Sequence, residues 1–200
     1  MKAHSKVLLF LFVGGLCISV AVSASKPISS EVLVRTGESP SSKVIAGYKN
    51  WTQVNTIPHL VSSQLSIQCA APTALQLSME NKNPHLNRFV LVYVNDIGKA
   101  AMLEQKVPVF PEGSVIVKEK WLSRVRVNPA LPELLTVMRK REAGYDPARG
   151  NWEYLVFDGA GQTLQASGKL ENCQGCHIQH RATDYISRIY LPANVLETLR

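Results

Sequence analysis

The chain has 200 residues, a formal net charge of +7 and a hydrophobic share of 46%. That length suits one domain with its own core, and the composition excludes a disordered or low-complexity chain. The positive charge does not indicate nucleic acid, because no long Lys/Arg run is interleaved with aromatic residues; the densest cluster is Arg139-Lys140-Arg141, whose members alternate faces if they lie in a strand.

The N-terminus reads as a secretory signal. Lys2 and Lys6 form a basic region, residues 7–22 are apolar and uncharged, and Val22-Ser23-Ala24 supplies small residues for cleavage. The apolar run is short for a membrane span, so removal of residues 1–24 is expected, leaving a periplasmic chain with no membrane span and a formal charge of about +5. Leu16 precedes Cys17 where a lipid anchor would need a small residue. Residues 25–43, rich in Ser with Pro27 and Pro40, are expected to be a mobile lead-in holding a short strand over 31–35, and residues 44–200 to be the functional domain.

Within that domain, Ile45, Tyr48, Trp51 and Val54 recur in steps of three and predict a helical stripe over 44–54. Residues 57–83 read as irregular, with one helix over 73–79. The period then changes. Residues 89–95 (Phe-Val-Leu-Val-Tyr-Val-Asn) are β-branched and aromatic and predict a strand, followed by a helix capped by Asp96. After turn chemistry at residues 110–113, a second strand is expected over 114–121. Residues 134–142 fit a strand or a helix by pattern, and the Gly/Pro/Asp loop at 143–150 before a strand over 152–158 favours a long hairpin. Another turn at 158–161 leads into a strand over 163–168. The expected class is α+β and β-rich: an antiparallel sheet with a few helices, the last functional one at the C-terminal end.

That C-terminal helix carries Cys173-Gln174-Gly175-Cys176-His177. Two cysteines with two residues between them and an adjacent histidine form the c-type haem attachment pattern. Each thiol adds to a haem vinyl group as a thioether, and the imidazole becomes an axial ligand to the iron. A redox pair, a structural disulfide and half of a zinc site share the Cys-x-x-Cys spacing, but a zinc site needs a second ligand pair that the sequence lacks. Cys173, Cys176 and His177 are therefore the cofactor-binding residues, His177 the metal ligand, and one covalent haem c with its iron the cofactor. Cys69 is left as an odd cysteine; Ala70 and Ala71 after it favour a buried thiol over an intermolecular disulfide or a reactive one. Ile178, Ala182, Tyr185, Ile186 and Ile189 would share one face of a helix begun by the haem motif and ended by Pro192, with a last turn over 195–199.

Several segments in order resemble the cytochrome P-460 family: Tyr48-Lys49-Asn50-Trp51, Val92-Tyr93-Val94-Asn95, and Phe110-Pro111-Glu112-Gly113-Ser114-Val115-Ile116-Val117-Lys118-Glu119. Arg141-Glu142-Ala143-Gly144-Tyr145, Trp152-Glu153-Tyr154-Leu155, the late haem motif and Ala182-Thr183-Asp184-Tyr185 follow. The resemblance runs over residues 48–192. It implies a β-sheet haem fold, often a homodimer, with an open distal iron site; members include hydroxylamine-oxidising enzymes, and the related c-prime-beta proteins bind nitric oxide. The oxidising members carry a lysine linked covalently to the haem. Lys118 is the first candidate for that role here, with Lys106 and Lys99 the others.

The function expected is chemistry on a small nitrogen compound at iron, either hydroxylamine oxidation or nitric oxide binding, with a redox protein as a further partner. The alternative is a periplasmic electron carrier with a sixth protein ligand. Met79, Met102, Met138, His59 and His85 are candidates for that ligand, the other reading being core or helix packing for the methionines and solvated loops for the histidines, while His180, one turn beyond His177, reads as a haem-edge or surface residue. Glu119, Glu142 and Glu153 are unranked candidates for a distal carboxylate that moves protons. Arg181 and Arg188 are candidates for pairing with haem propionates, a solvated helix face being the alternative.

Overall fold

A computed structural model describes residues 41–62, 74–75, 78, 85–123 and 131–200. The expectations for the signal, Cys17, Cys69 and Met79, and most of the lead-in and of the helix expected over 73–79, lie outside these residues.

Seven strands form one antiparallel sheet: β1 (Thr52–Gln53), β2 (His59–Val61), β3 (Arg88–Val94), β4 (Val115–Trp121), β5 (Leu134–Lys140), β6 (Trp152–Asp158) and β7 (Leu164–Gly168). From β3 to β7 the strands pair in chain order as a meander, and β1 and β2 both pair with the outer side of β3. The long strands form because their residues are β-branched or aromatic at nearly every position. Their near-continuous apolar runs mean that both faces of the sheet are covered. On one face Leu91, Tyr93, Val115, Val117, Leu135, Val137, Leu155 and Phe157 bury against Ile45 and Tyr48. On the other, Val92, Val94, Ile116, Met138, Trp152 and Tyr154 bury against helix α1 (Asp96–Leu103) and the C-terminal segment. That segment holds α2 (Glu171–His177), a 3-10 turn over Ile178–Thr183, and α3 (Ala193–Thr198). The β-rich α+β class is thus the observed one.

Several local expectations are corrected. The stripe over 44–54 is two 3-10 turns, Ser42–Ile45 and Tyr48–Asn50, followed by β1. Its apolar residues are divided between the two faces of the sheet, Ile45 and Tyr48 to one and Val54 to the other. β2 is a strand in a stretch expected to be irregular. The cap of α1 is Asn95, whose side chain accepts a hydrogen bond from the Gly98 amide at 3.1 Å, rather than Asp96. The haem motif ends a helix instead of starting one, and the apolar period after His177 is broken where Asp184 and Tyr185 take left-handed backbone angles (φ 51° and 64°). Ile189, expected on the buried face of that helix, is 55% exposed. Pro192 precedes α3 as its N-cap residue.

Candidate functional site

Strand alternation decides what faces the C-terminal segment. Val92, Lys118 and Thr136 are register partners across β3, β4 and β5, and Ile116, Met138 and Tyr154 are partners across β4, β5 and β6. All lie on the face that packs under α2. Lys118 therefore shares its side with Ile116, and both line a cavity of about 190 Å³ with Cys173, His177, Thr136, Met138, Tyr154, Lys120 and His85. A second cavity of about 130 Å³ is lined by Cys176, His177, His180, Lys118, Tyr190 and again His85. The motif residues thus come to rest against the sheet beside Lys118. Lys99 is exposed on α1, and Lys106 reaches the Arg200 carbonyl, so neither is part of this arrangement.

The helical turn from Cys173 to Cys176 places both sulfurs on one side of α2, with His177 next to them. The orientation of His177 is fixed from behind. Its Nδ1 lies 2.7 Å from the Tyr185 carbonyl and donates to it, which leaves the Nε2 lone pair as the ring's available donor atom. Several contacts hold that carbonyl in its unusual conformation. Asp184 accepts two bonds from Lys140 Nζ, at 2.8 and 2.6 Å, and one from the Phe110 amide at 2.9 Å. Trp152 Nε1 donates to the Asp184 carbonyl at 2.8 Å, and the Tyr185 hydroxyl donates to the Ala148 carbonyl at 2.9 Å. Left-handed angles at two successive non-glycine residues are costly and persist only when the surroundings over-determine them.

Burial dominates the electrostatics. It pushes the His177 imidazole down to about 3, with the charge on Lys118 adding to the effect, so the ring is neutral at ordinary pH, the form that binds metals. Burial raises the Cys173 thiol to about 11. It lowers Lys118 to about 8, partly opposed by Cys173 and Cys176. The Lys118 Nζ lies 5.3 Å from the centre of the Tyr190 ring, and the Tyr154 ring lies 5.5 Å from that of His177.

The other candidates separate clearly. Glu119 is fully buried, but on the opposite face of the sheet. There it accepts from the Tyr48 hydroxyl at 2.8 Å, from Trp121 Nε1 at 3.0 Å and from Lys49. Glu153 also faces that side and is held by Arg139 and Arg141, and Glu142 is exposed and paired with Arg141. None of the three carboxylates reaches the cavities at His177, which corrects the expectation of a distal carboxylate among them. Arg188 is 9% exposed and donates to the carbonyls of Ala101 and Gln105, so it ties the C-terminal segment to α1 and is not a solvated or propionate-pairing residue; Arg181 is exposed. Met102 is a residue of α1 buried in the core, and His59 lines an open groove with Ile57, Leu60 and Ile189. His180 is half-buried, its ring 6.3 Å from that of His177. His85 and Met138 border the cavities at His177.

Sequence reading missed Tyr185, Asp184, Gly150 and the hydroxyl-bearing lining. The tail containing Asp184 and Tyr185 was visible only as a motif, because a backbone carbonyl that aims an imidazole leaves no side-chain pattern.

A haem is the group the sequence implies, and the donor set fits it. Two adjacent sulfurs, a neutral imidazole with its Nδ1 engaged, and an apolar sheet face are what a c-type haem requires. The hydroxyls of Thr136, Tyr154 and Tyr190 are buried around the cavities and have no hydrogen-bond partner among the described residues. Leaving a buried polar group unpaired costs roughly 1–3 kcal/mol, so each favours a polar-edged occupant or water beside it.

Among the described residues, no helix is long and apolar enough to cross a membrane. No curated protein matches the chain. The family model for cytochrome P460 matches residues 45–187, from the first buried 3-10 turn through the haem motif to the Asp184-Tyr185 clamp, and the chain therefore belongs to the cytochrome P460 family of haem proteins.

Proposed function

We propose that this chain is an exported mono-haem c-type cytochrome acting on small nitrogen compounds, with oxidation of hydroxylamine as its reaction. In this reading Cys173 and Cys176 would hold a haem through thioethers, His177 would ligate its iron, and Lys118 would be joined to it covalently. The observation that carries it is the position of Lys118, which borders both cavities lined by His177 while Lys99 and Lys106 do not. When bound, the haem supplies an iron that accepts electrons and a coordination position for a small ligand.

The chain's own residues support the arrangement. Tyr185 orients His177 through its carbonyl, and Val90, Ile116 and Met138 give the sheet side of the site an apolar wall that limits water. Hydroxylamine gives up electrons and protons on oxidation, and the electrons leave to a redox partner protein.

Tryptic mass spectrometry of the haem peptide tests the reading. The expected product joins the Cys173/Cys176 peptide and the Lys118 peptide through one haem. A haem peptide carrying only the two cysteine links would remove the oxidase reading and leave a nitric oxide binder. Haem released completely by acid-acetone would remove covalent attachment altogether.

A further inference from the structure

His85 is the residue that the functional reading leaves unused. It precedes β3, a different element from the one that carries His177, yet it borders the same two cavities. Among the described residues, His177, Lys118 and His85 are the three that line both. Two of these have roles in the proposed haem site: His177 meets the iron, and Lys118 is joined to the ring. A lysine nitrogen spent on a ring bond is a poor donor to anything else. Thr136 and Lys120 line only the cavity on the Cys173 side, and Tyr190 lines only the other of the two.

We propose that the His85 imidazole donates a hydrogen bond to the small ligand held at the haem, and so sets how long that ligand stays. The inference rests on the haem site proposed above. A neutral imidazole offers one N–H donor and one acceptor nitrogen. Burial is the main cause that holds His85 in that neutral form. The ligand class that fits is a small molecule whose outer atom is an acceptor, such as nitric oxide or hydroxylamine. In a site walled by Val90, Ile116 and Met138 such a bond is little screened by water.

The probe is carbon monoxide on the reduced, haem-loaded protein, read by the C–O stretching frequency and by the dissociation rate. His85→Leu removes the donor, and His85→Gln keeps an N–H donor on a side chain of similar reach. The expected result is a C–O stretch that moves to higher frequency in His85→Leu and returns toward wild type in His85→Gln. Carbon monoxide should leave His85→Leu about tenfold faster, the loss of one hydrogen bond. In the unsubstituted protein, transfer to deuterated water should shift the same band, which covers the case of a variant that does not fold. Identical bands and rates in all three proteins, with no deuterium effect, would overturn the inference. So would a low-spin resting spectrum that becomes high-spin in His85→Leu, because His85 would then be an iron ligand and not a donor to a bound molecule. Protein that takes up no haem fails the underlying reading, and that failure shows in the pigment before any carbon monoxide is added.

Discussion

A histidine becomes a defined metal ligand only when its other nitrogen is spoken for, and here a single backbone carbonyl does this. Tyr185 presents that carbonyl to His177 Nδ1 from a left-handed conformation, and its ring packs closely over Gly150. A Cβ on Gly150 would come within 2.5 Å of the Tyr185 ring, and Gly150 itself has φ of +69°, a region that side chains strain. Gly150→Ala is therefore expected to cost on the order of 1–3 kcal/mol, combining backbone strain with a displaced aromatic ring. For a domain of this size each kcal/mol lowers Tm by roughly 2–4 °C. Because the displaced ring belongs to the residue that aims His177, the absorption spectrum of the haem protein should change as well. A thermal melt and a spectrum unchanged from wild type would show that the Tyr185 ring moves aside without disturbing its carbonyl.

Strand β4 carries two chemistries on its two faces, and period-two alternation keeps them apart. Lys118 faces the cavities at His177, while Glu119 is sealed under the other face by Tyr48, Trp121 and Lys49. Substitutions at these neighbours should therefore separate function from stability. Lys118→Met should leave the melting temperature near wild type and abolish the lysine link to the haem. Glu119→Leu should leave the link intact but strand the Tyr48 hydroxyl and the Trp121 N–H, at roughly 1–3 kcal/mol each. Lys49→Ala should cost roughly 1–3 kcal/mol: the lysine is 55% exposed, but its partner Glu119 is 0% exposed and loses its cation while keeping the Tyr48 and Trp121 donors. Urea unfolding beside mass spectrometry of each variant checks all three; a Glu119→Leu protein as stable as wild type would mean that the network is incidental.

The same alternation explains what could be read without coordinates. Three of the four long strands and the shared side of Ile116 and Lys118 follow from local pattern, since each strand's residue types agree with its environment, whereas β5 fits a helix equally well until the loop after it is considered. The cysteine and histidine spacing is equally local. What failed was set by distant contacts. The apolar period after His177 continues to Ile189, but the bonds from Lys140, Phe110 and Trp152 to Asp184 break the helix that the period would build. Arg188 looks like a surface arginine until the carbonyls of α1, more than eighty residues earlier, receive it. The three glutamates could not be ranked because which face of the sheet the haem motif covers is a tertiary fact.

At the scale of the whole molecule, the sheet ends in two dissimilar edges. β7 presents exposed Gln165 and Ser167, polar side chains that discourage further pairing. The opposite edge is shared by β1 and β2, which pair with β3 on one side and have no strand partner on the other among the described residues. Beside it lie Ile57, Leu60 and Ile189, which are 65%, 44% and 55% exposed and border one open groove. Apolar side chains grouped beside a strand edge are a recurrent mark of an interaction surface. A second copy related by a two-fold axis would cover both the edge and the groove with one self-complementary contact. We accordingly expect a homodimer formed through β2 and its flanking residues. Light scattering should give twice the chain mass for the wild type, and Leu60→Glu should shift it toward the monomer, because the contact would have to bury an unpaired carboxylate. The haem spectrum of that variant should stay as it was, since Leu60 borders neither cavity at His177. A monomer mass for the wild type across a wide concentration range would rule out the dimer, and a dimer that survives Leu60→Glu would move the interface away from β2.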